Sequence, residues 1–169
     1  MELNERTKMI KDILYKMIDI SLGNTHDINH FLKVYSYAKL IGEMEHLDQD
    51  TQITLEIAAI IHDIACPLCR MKYGNTNARN QEIEGIQLAK DFLDEFNLDE
   101  STKTRIIYLV GHHHTLDMID GIDYQILIEA DYLVNADESH YSITNIQNFK
   151  SQYFKTTTGI KLLETIFER

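Results

Sequence analysis

The chain has 169 residues, of which 44% are hydrophobic and 25% are charged, and its formal net charge at pH 7 is -11. This composition is typical of an ordinary globular protein, and the length favours one domain. The negative charge argues against a nucleic-acid polymer as partner, because polyanions are bound by neutralising phosphates with Lys and Arg. A small phosphorylated substrate is compatible with this charge if a metal ion meets the charge of its phosphates.

The N-terminal segment Met1–Arg6 is too polar for a signal peptide, and no uninterrupted apolar run reaches the ~18 residues of a membrane span. One proline and seven glycines leave little room for linkers. We therefore expect a single domain over residues 1–169 that is cytoplasmic and has no membrane partner. No pattern in the sequence predicts an oligomeric state.

Almost every segment shows the apolar spacing of an amphipathic helix. The predicted helices cover, approximately and in chain order, residues 3–20, 25–41, 48–64, 80–96, 99–114, 122–137, 142–150 and 158–167. Thr25 or Asp27 is expected to cap the second helix and Asp99 or Ser101 the fifth, while the third should end before Pro67. No segment of convincing length alternates at period two. The prediction is an all-α bundle of about six to eight helices.

The stretch 66–79 is the only long polar, turn-rich segment, and loops of this length in a compact domain are often functional. Its three basic side chains, which either neutralise substrate phosphate or are simply solvated, are Arg70, Lys72 and Arg79. The segment also holds both cysteines of the chain, Cys66 and Cys69. Two reduced thiols are the simplest interpretation, because a thioredoxin-like pair needs a βαβ context and a zinc site needs two further ligands.

The apolar run 57–65 places His62 and Asp63 at the C-terminal end of a helix that should be buried. A buried imidazole beside a buried carboxylate is costly unless both are hydrogen-bonded or bound to a metal. The other candidates for the same site are His30, Asp131 and the histidine triplet 112–114. Taken singly, each has an ordinary structural explanation as a capping residue, an ion-pair partner or a solvated helix end. As an ordered set, they suggest that these side chains converge on a divalent cation.

This ordered set resembles the HD-domain superfamily of metal-dependent phosphohydrolases. The resemblance rests on a histidine followed by Phe-Leu-Lys-Val, an apolar run ending in His-Asp-Ile-Ala, a histidine cluster and Ala-Asp-Tyr-Leu, and it spans about residues 25–137. It implies a helical bundle whose metal ligands are His30, His62, Asp63 and Asp131. Such ligands suit Mn²⁺, Fe²⁺, Ni²⁺, Zn²⁺ or Mg²⁺, and the sequence does not select among these ions.

The chain is also similar to the HD branch that hydrolyses dinucleoside polyphosphates with two metal ions. That branch adds one histidine in a His-x-x-x-Gly pattern and another before the final aspartate. Here Gly85 is present, but Gln81 stands at the histidine position, and His113 fits the later histidine by spacing, with His112 beside it. The acidic neighbours that are candidates to replace the missing ligand are Glu82 and Glu84. We expect one tightly held ion, with a second ion weakly bound or absent.

The implied function is hydrolysis of a phosphate ester or anhydride in a small substrate, with a nucleotide favoured. A bound ion would lower the pKa of its water and polarise the phosphoryl group. Asp63 would orient the nucleophile, and His112 or His113 would contact the phosphate or protonate the leaving oxygen. Two alternatives stay open: a di-iron oxygenase, which Gln81 counts against, and a non-catalytic protein that keeps the metal for stability.

Overall fold

The computed structural model describes residues 3–168; Met1 and Glu2, which entered the signal-peptide prediction, and Arg169 lie outside the described residues. Residues 3–168 contain nine α-helices and no strand, so the all-α prediction is confirmed. In chain order the helices are α1 (Leu3–Ile20), α2 (Thr25–Met44), α3 (Gln49–Ile61), α4 (Cys66–Tyr73), α5 (Ala78–Leu93), α6 (Glu100–Val110), α7 (Ile122–Glu138), α8 (Ile143–Tyr153) and α9 (Thr157–Phe167). Their number exceeds the predicted six to eight because the segment expected to be a loop contains a helix.

That additional helix is α4, and it corrects the prediction of a loop over 66–79. Pro67 was expected only to end the preceding helix, but it lies in the first turn of α4. In that turn the missing N–H of proline costs nothing, and its fixed φ favours the helix. The preceding helix already ends at Ile61. Gly74, with φ +70°, ends α4 in the left-handed conformation that glycine adopts most easily.

Polar side chains cap the helices that carry the site. The predicted N-cap of α2, Thr25 or Asp27, is wrong. The N-cap is Asn24, whose side chain accepts the N–H of Asp27. Asp48 caps α3, and Asp99 caps α6 as predicted. Each cap satisfies backbone donors that the first turn of a helix leaves without partners.

Helices α3 and α7 form the centre of the molecule. Every residue from 53 to 61 on α3 and from 123 to 134 on α7 is buried. Helix α2 packs against both, α1 and α6 pack against α3, and α9 packs against α7. The buried hydrophobic side chains of all helices except α4 form one cluster, so residues 3–168 show no second core.

By length and composition alone, the helical region Gln49–Tyr73, which joins α3 to α4, is apolar enough to cross a membrane. In its most apolar window, however, 78% of the residues are buried inside the protein. The apolar character is therefore explained by packing, since α3 is surrounded by α1, α2, α6 and α7. This burial makes the turn between α3 and α4 an interior position for polar side chains.

Candidate metal centre

Three parts of the chain meet at one polar site inside the bundle. The turn between α3 and α4 carries His62 and Asp63, α2 carries His30, and α7 carries Asp131. We call these four residues the His–Asp cluster. Three of them are buried, and Asp63 is half-buried.

The donor atoms of the His–Asp cluster lie at similar separations. His30 Nε2 is 3.3 Å from His62 Nε2, 3.1 Å from Asp131 Oδ1 and 3.5 Å from Asp63 Oδ2. His62 Nε2 is also 3.5 Å from each of the two aspartate oxygens. Ligand atoms bonded at about 2.1 Å to one ion lie roughly 3.0 Å apart at right angles and roughly 3.4 Å apart at tetrahedral angles. The observed separations therefore suit a divalent ion.

Second contacts hold both imidazoles in the orientation of a metal ligand. His62 Nδ1 lies 2.9 Å from the carbonyl oxygen of Ala59, and His30 Nδ1 lies 2.9 Å from Glu138 Oε2. An imidazole that donates from Nδ1 presents the lone pair of Nε2 to the cluster, and such contacts accompany most metal-bound histidines. Two lone pairs 3.3 Å apart repel each other unless a proton or a cation lies between them.

The pKa values show that the His–Asp cluster favours a positive charge at its centre. Burial lowers the pKa of His30, but the hydrogen bond to Asp131 and the charges of Asp63 and Asp131 outweigh it and raise the pKa to about 9. Burial alone would raise the pKa of both aspartates, yet the neighbouring imidazoles hold these pKa values well below their usual range. The positive charge is either a proton on His30 or a cation that displaces it.

Two further residues of α7 support the cluster and were missed by the sequence prediction. Asn135 Nδ2 donates a hydrogen bond of 2.8 Å to Asp131 Oδ1. Glu138 bonds to His30 through one oxygen and to Lys33 Nζ, at 3.1 Å, through the other. These residues follow Asp131 by four and seven positions and therefore lie on the same helix face. That spacing is the sequence signal that identifies them.

Asp63 also faces a second group of imidazoles, in the turn after α6. His113 Nδ1 lies 2.8 Å from the carbonyl oxygen of Val110, and its Nε2 lies 3.4 Å from Asp63 Oδ1. The Nε2 atoms of His113 and His114 are both buried and make no hydrogen bond within residues 3–168. One donor atom from each of Asp63, His113 and His114 lies within 4.8 Å of the others. Because buried nitrogen atoms rarely lack partners, this group is a candidate for a second ion.

The structure does not bring His112 to the site. Its ring stacks on Tyr108, with centroids 4.2 Å apart, and its Nδ1 lies 2.7 Å from the carbonyl oxygen of Tyr108. Since α6 ends at Val110, the turn over 111–114, not helical periodicity, decides which imidazole faces Asp63. His114, which the prediction mentioned only as part of the triplet, joins His113 there.

Residues 27–141 match the family model of the HD domain. The chain belongs to the HD domain family. A crystal structure described as a predicted HD superfamily hydrolase from an uncultured Thermotogales bacterium aligns with a TM-score of 0.68 and 23% sequence identity, covering 99% of this chain and 92% of that chain. At this identity the alignment shows a shared fold. Comparison with curated proteins gave no significant match.

HD domains bind divalent metal ions. Gln81 is the residue that the sequence resemblance matches to a histidine of the dinucleoside-polyphosphate branch. Gln81 is buried beside the cluster, donates from Nε2 to the carbonyl oxygen of Thr76 at 2.7 Å, and accepts from Cys66 Sγ at 3.4 Å. Burial raises the pKa of the Cys66 thiol, so the sulfur stays protonated. Cys66 and Cys69 are free thiols in the structure, which agrees with the simplest interpretation of this pair.

Neither acidic neighbour of Gln81 reaches the His–Asp cluster. Glu82 Oε1 accepts the backbone N–H of His114 at 3.0 Å and the hydroxyl of the following threonine at 2.9 Å, so Glu82 fixes the histidine-bearing turn. Glu84 binds Lys72 and the hydroxyl of Tyr73. Glu82 and Glu84 therefore contribute no carboxylate to the His–Asp cluster.

The three predicted phosphate-binding residues are not equivalent. Arg70 lines the cleft beside the cluster, and its guanidinium pairs with Asp27. Lys72 Nζ is held 2.6 Å from Glu84 Oε1, and Arg79 is exposed and does not line the cleft. The structure therefore places one of these three cations, Arg70, near the candidate metal centre.

Two clefts adjoin the His–Asp cluster. The polar cleft, of about 280 Å³, is lined by charged and polar side chains that include His30, Asp63, Arg70 and Asp131. The aromatic cleft, of about 380 Å³, has walls that include Tyr132, Tyr141, Asn145 and Phe149. His114, Asp131 and Asn135 line both clefts, so the two clefts are adjacent.

Proposed function

We propose that this HD domain is a metal-dependent phosphohydrolase that cleaves a phosphate ester or anhydride of a small substrate, with a nucleotide as the favoured class. The observation that carries the proposal is the His–Asp cluster. Both imidazole Nε2 atoms lie within 3.5 Å of three other donor atoms of the cluster, and the four residues come from three separate parts of the fold. Membership of the HD domain family supports a hydrolytic role.

His30, His62, Asp63 and Asp131 would hold the ion, which would supply an activated water molecule and polarise a phosphoryl oxygen. Imidazole and carboxylate ligands suit Mn²⁺, Fe²⁺, Ni²⁺, Zn²⁺ and Mg²⁺. Binding of a second ion would involve His113 and His114 together with Asp63. We expect it to be the weaker one, because Asp63 is the one charged member of that group and is shared with the first ion.

Asp63 is the member of the cluster best placed to orient the attacking water. It lines the polar cleft, and its two oxygens face different imidazoles, Oδ2 towards His30 and His62 and Oδ1 towards His113. A carboxylate in this position can accept a proton of the water and direct a lone pair at phosphorus.

With one ion bound, His113 would act as the proton donor to the leaving oxygen. Burial lowers the pKa of His113, but the contact with Asp63 outweighs this effect and raises it. His113 lines the aromatic cleft, and a proton carried on its Nε2 could pass to the oxygen that departs from phosphorus. Arg70, at the polar cleft, would exchange part of its contact with Asp27 for a phosphate oxygen.

Phosphate release from a panel of nucleoside monophosphates, diphosphates and dinucleoside polyphosphates, measured with each of the five ions, tests the proposal. We expect turnover that a chelator removes. His62→Ala and Asp63→Ala should each reduce kcat/KM at least about a thousandfold, because each removes a ligand directly. His46→Asn is the control: His46 follows the other end of α2, and asparagine tolerates its positive φ of 59°.

Each other outcome has a definite meaning. Unchanged turnover in both His62→Ala and Asp63→Ala would eliminate the site. An iron-loaded protein that consumes O₂ and releases no phosphate would identify the oxygenase alternative. Stoichiometric metal without either activity would identify a non-catalytic, metal-stabilised protein.

A further inference from the structure

The aromatic side chains of the aromatic cleft have no role in the proposed hydrolysis, although His113 and Asp131 line the same cleft. Its floor is a stack of two rings, Tyr132 on Phe149, with centroids 3.7 Å apart and planes 9° apart. Phe154 meets Tyr132 edge-on at 5.9 Å and closes the back of the stack. These three side chains complete the core beneath the cleft and need no ligand to explain them.

Tyr141 is different, because the core does not require it. Its side chain is 37% exposed, and its ring lies 5.7 Å from Tyr132 at an angle of 51°. The turn after α7 sets its position: His140 has a positive φ of 51°, and the N–H of Tyr141 returns to the carbonyl oxygen of Ala136 at 3.0 Å. A non-glycine residue in this conformation persists only where its surroundings hold it there. The turn thus directs a large aromatic ring to the rim of the cleft.

Asn145 adds a polar group to the same rim. Its Oδ1 accepts the hydroxyl of Tyr132 at 2.8 Å, which fixes the orientation of the amide. The amide Nδ2 then has two N–H donors, and neither makes a hydrogen bond within residues 3–168. An oriented donor beside an exposed ring suits a planar ligand that carries hydrogen-bond acceptors on its edge.

The position of the aromatic cleft links it to the His–Asp cluster. The two clefts share His114, Asp131 and Asn135, so a group bound among the aromatic side chains is adjacent to a phosphoryl group at the cluster. A volume of about 380 Å³ lies within the range of small-molecule sites. We infer that this cleft binds the base of the nucleotide whose phosphate is cleaved, with Tyr141 stacking on the base and Asn145 Nδ2 donating to its edge. The inference rests on the proposed function.

The test compares substrates with and without a base in the metal-loaded, full-length protein. The pairs are AMP with ribose 5-phosphate and ADP with inorganic pyrophosphate. We expect Tyr141→Ala to lower the ratio of kcat/KM for the base-bearing member to that for the base-free member about tenfold, the order of magnitude of a lost base–aromatic stack. Tyr141→Phe should keep the ratio near that of the natural protein, because the ring is retained. Asn145→Ala should lower the ratio by a smaller factor.

A matched control is Tyr15→Ala, because Tyr15 is 76% exposed on α1 and lines neither cleft. It should change neither the ratio nor the individual rates. An equal loss for both members of a pair in Tyr141→Ala would show a structural role and overturn the inference, as would an unchanged ratio.

Failure of the proposed function would be recognised separately, as absence of phosphate release from every substrate. Calorimetric titration of the Mn²⁺-loaded protein with AMP and with ribose 5-phosphate then decides the inference by itself. Tighter binding of AMP that Tyr141→Ala removes would support a base-binding cleft. Equal or undetectable binding of the two ligands would overturn it.

Discussion

Glu129 and Asp131 lie two residues apart on α7, and both carboxylates are buried, yet their surroundings differ completely. Glu129 accepts hydrogen bonds from Gln125 Nε2 at 2.7 Å, from the backbone N–H of Lys155 at 2.7 Å and from that of Thr156 at 3.0 Å, and it also accepts the Thr156 hydroxyl. Successive helix residues are about 100° apart, so the two acids face nearly opposite directions. Glu129 joins α7 to the segment between α8 and α9.

The neighbours of Asp131 are mostly groups that bind metals themselves. Its Oδ1 lies 3.1 Å from His30 Nε2 and 3.5 Å from His62 Nε2. Burial raises the pKa of Glu129 despite its hydrogen bonds, whereas the two imidazoles hold the pKa of Asp131 well below its usual range. A buried acid is therefore recognised as part of a site by its neighbours, because burial itself is common to both residues.

The largest expected effect is on activity and comes from Asp131→Asn. The amide keeps the shape but removes a charged ligand, so bound metal should be lost and kcat/KM should fall roughly a thousandfold. With chelator present, the melting temperature should change by only a few degrees, because the amide of the new asparagine still forms hydrogen bonds with the imidazoles. Measuring metal content, phosphate release and the melting temperature checks the expected loss of metal, the loss of activity and the retained stability, respectively. Glu129→Gln, the matched change on the opposite face, should retain metal and activity.

If Asp131→Asn kept its metal, Asp131 would not be a metal ligand, and the difference in role between Asp131 and Glu129 would be contradicted. A large drop in the melting temperature of chelator-treated Asp131→Asn would also contradict it, since Asp131 would then stabilise the fold as Glu129 does.

Glu129→Ala should have the next largest effect, on stability. The truncation removes the acceptor of the Lys155 and Thr156 N–H groups, of the Thr156 hydroxyl and of one N–H of the Gln125 amide, whose Nε2 keeps the carbonyl oxygen of Tyr153. Each such group costs about 1–3 kcal/mol, so the free energy of unfolding should fall by at least about 3 kcal/mol. Urea unfolding followed by circular dichroism measures the change, and Glu129→Gln should recover most of it. A loss below about 1 kcal/mol would show that these donors find other partners.

The same contrast explains how much of the site could be predicted from sequence. The order of His30, His62, Asp63 and Asp131 along predicted helices was enough to name the residues that the fold brings together. Helical periodicity identified α7 and puts Glu129 and Asp131 on opposite faces, but it does not tell which groups surround either acid. The donors to Glu129 lie more than twenty residues away in the chain, and no local pattern reports them.

The errors occurred where a helix ends. Pro67 is equally typical of a helix stop and of a helix start, and only packing decides between them. Spacing favoured His113, but His112 stayed a candidate beside it, because the residues after Val110 follow a turn whose direction the helical period does not give. Glu138, by contrast, could have been found, since it repeats the face of Asp131 two turns later.

The smallest of these effects is expected for Glu138, a third carboxylate on α7. Unlike Asp131 it does not belong to the His–Asp cluster, and unlike Glu129 it contacts a member of that cluster. Its Oε2 orients His30 from behind, at 2.9 Å from Nδ1, without facing the cluster itself. Glu138→Gln keeps a hydrogen-bond acceptor but removes the charge, so the Kd for Mn²⁺ should rise about 10–100-fold while the ion is still bound at saturation. Titration calorimetry measures the Kd. Asp137→Asn is the control, because Asp137 lies 3.8 Å from the same Lys33 but does not contact His30. Equal effects of the two variants would assign the change to the general negative charge at the end of α7 and not to the orientation of the imidazole.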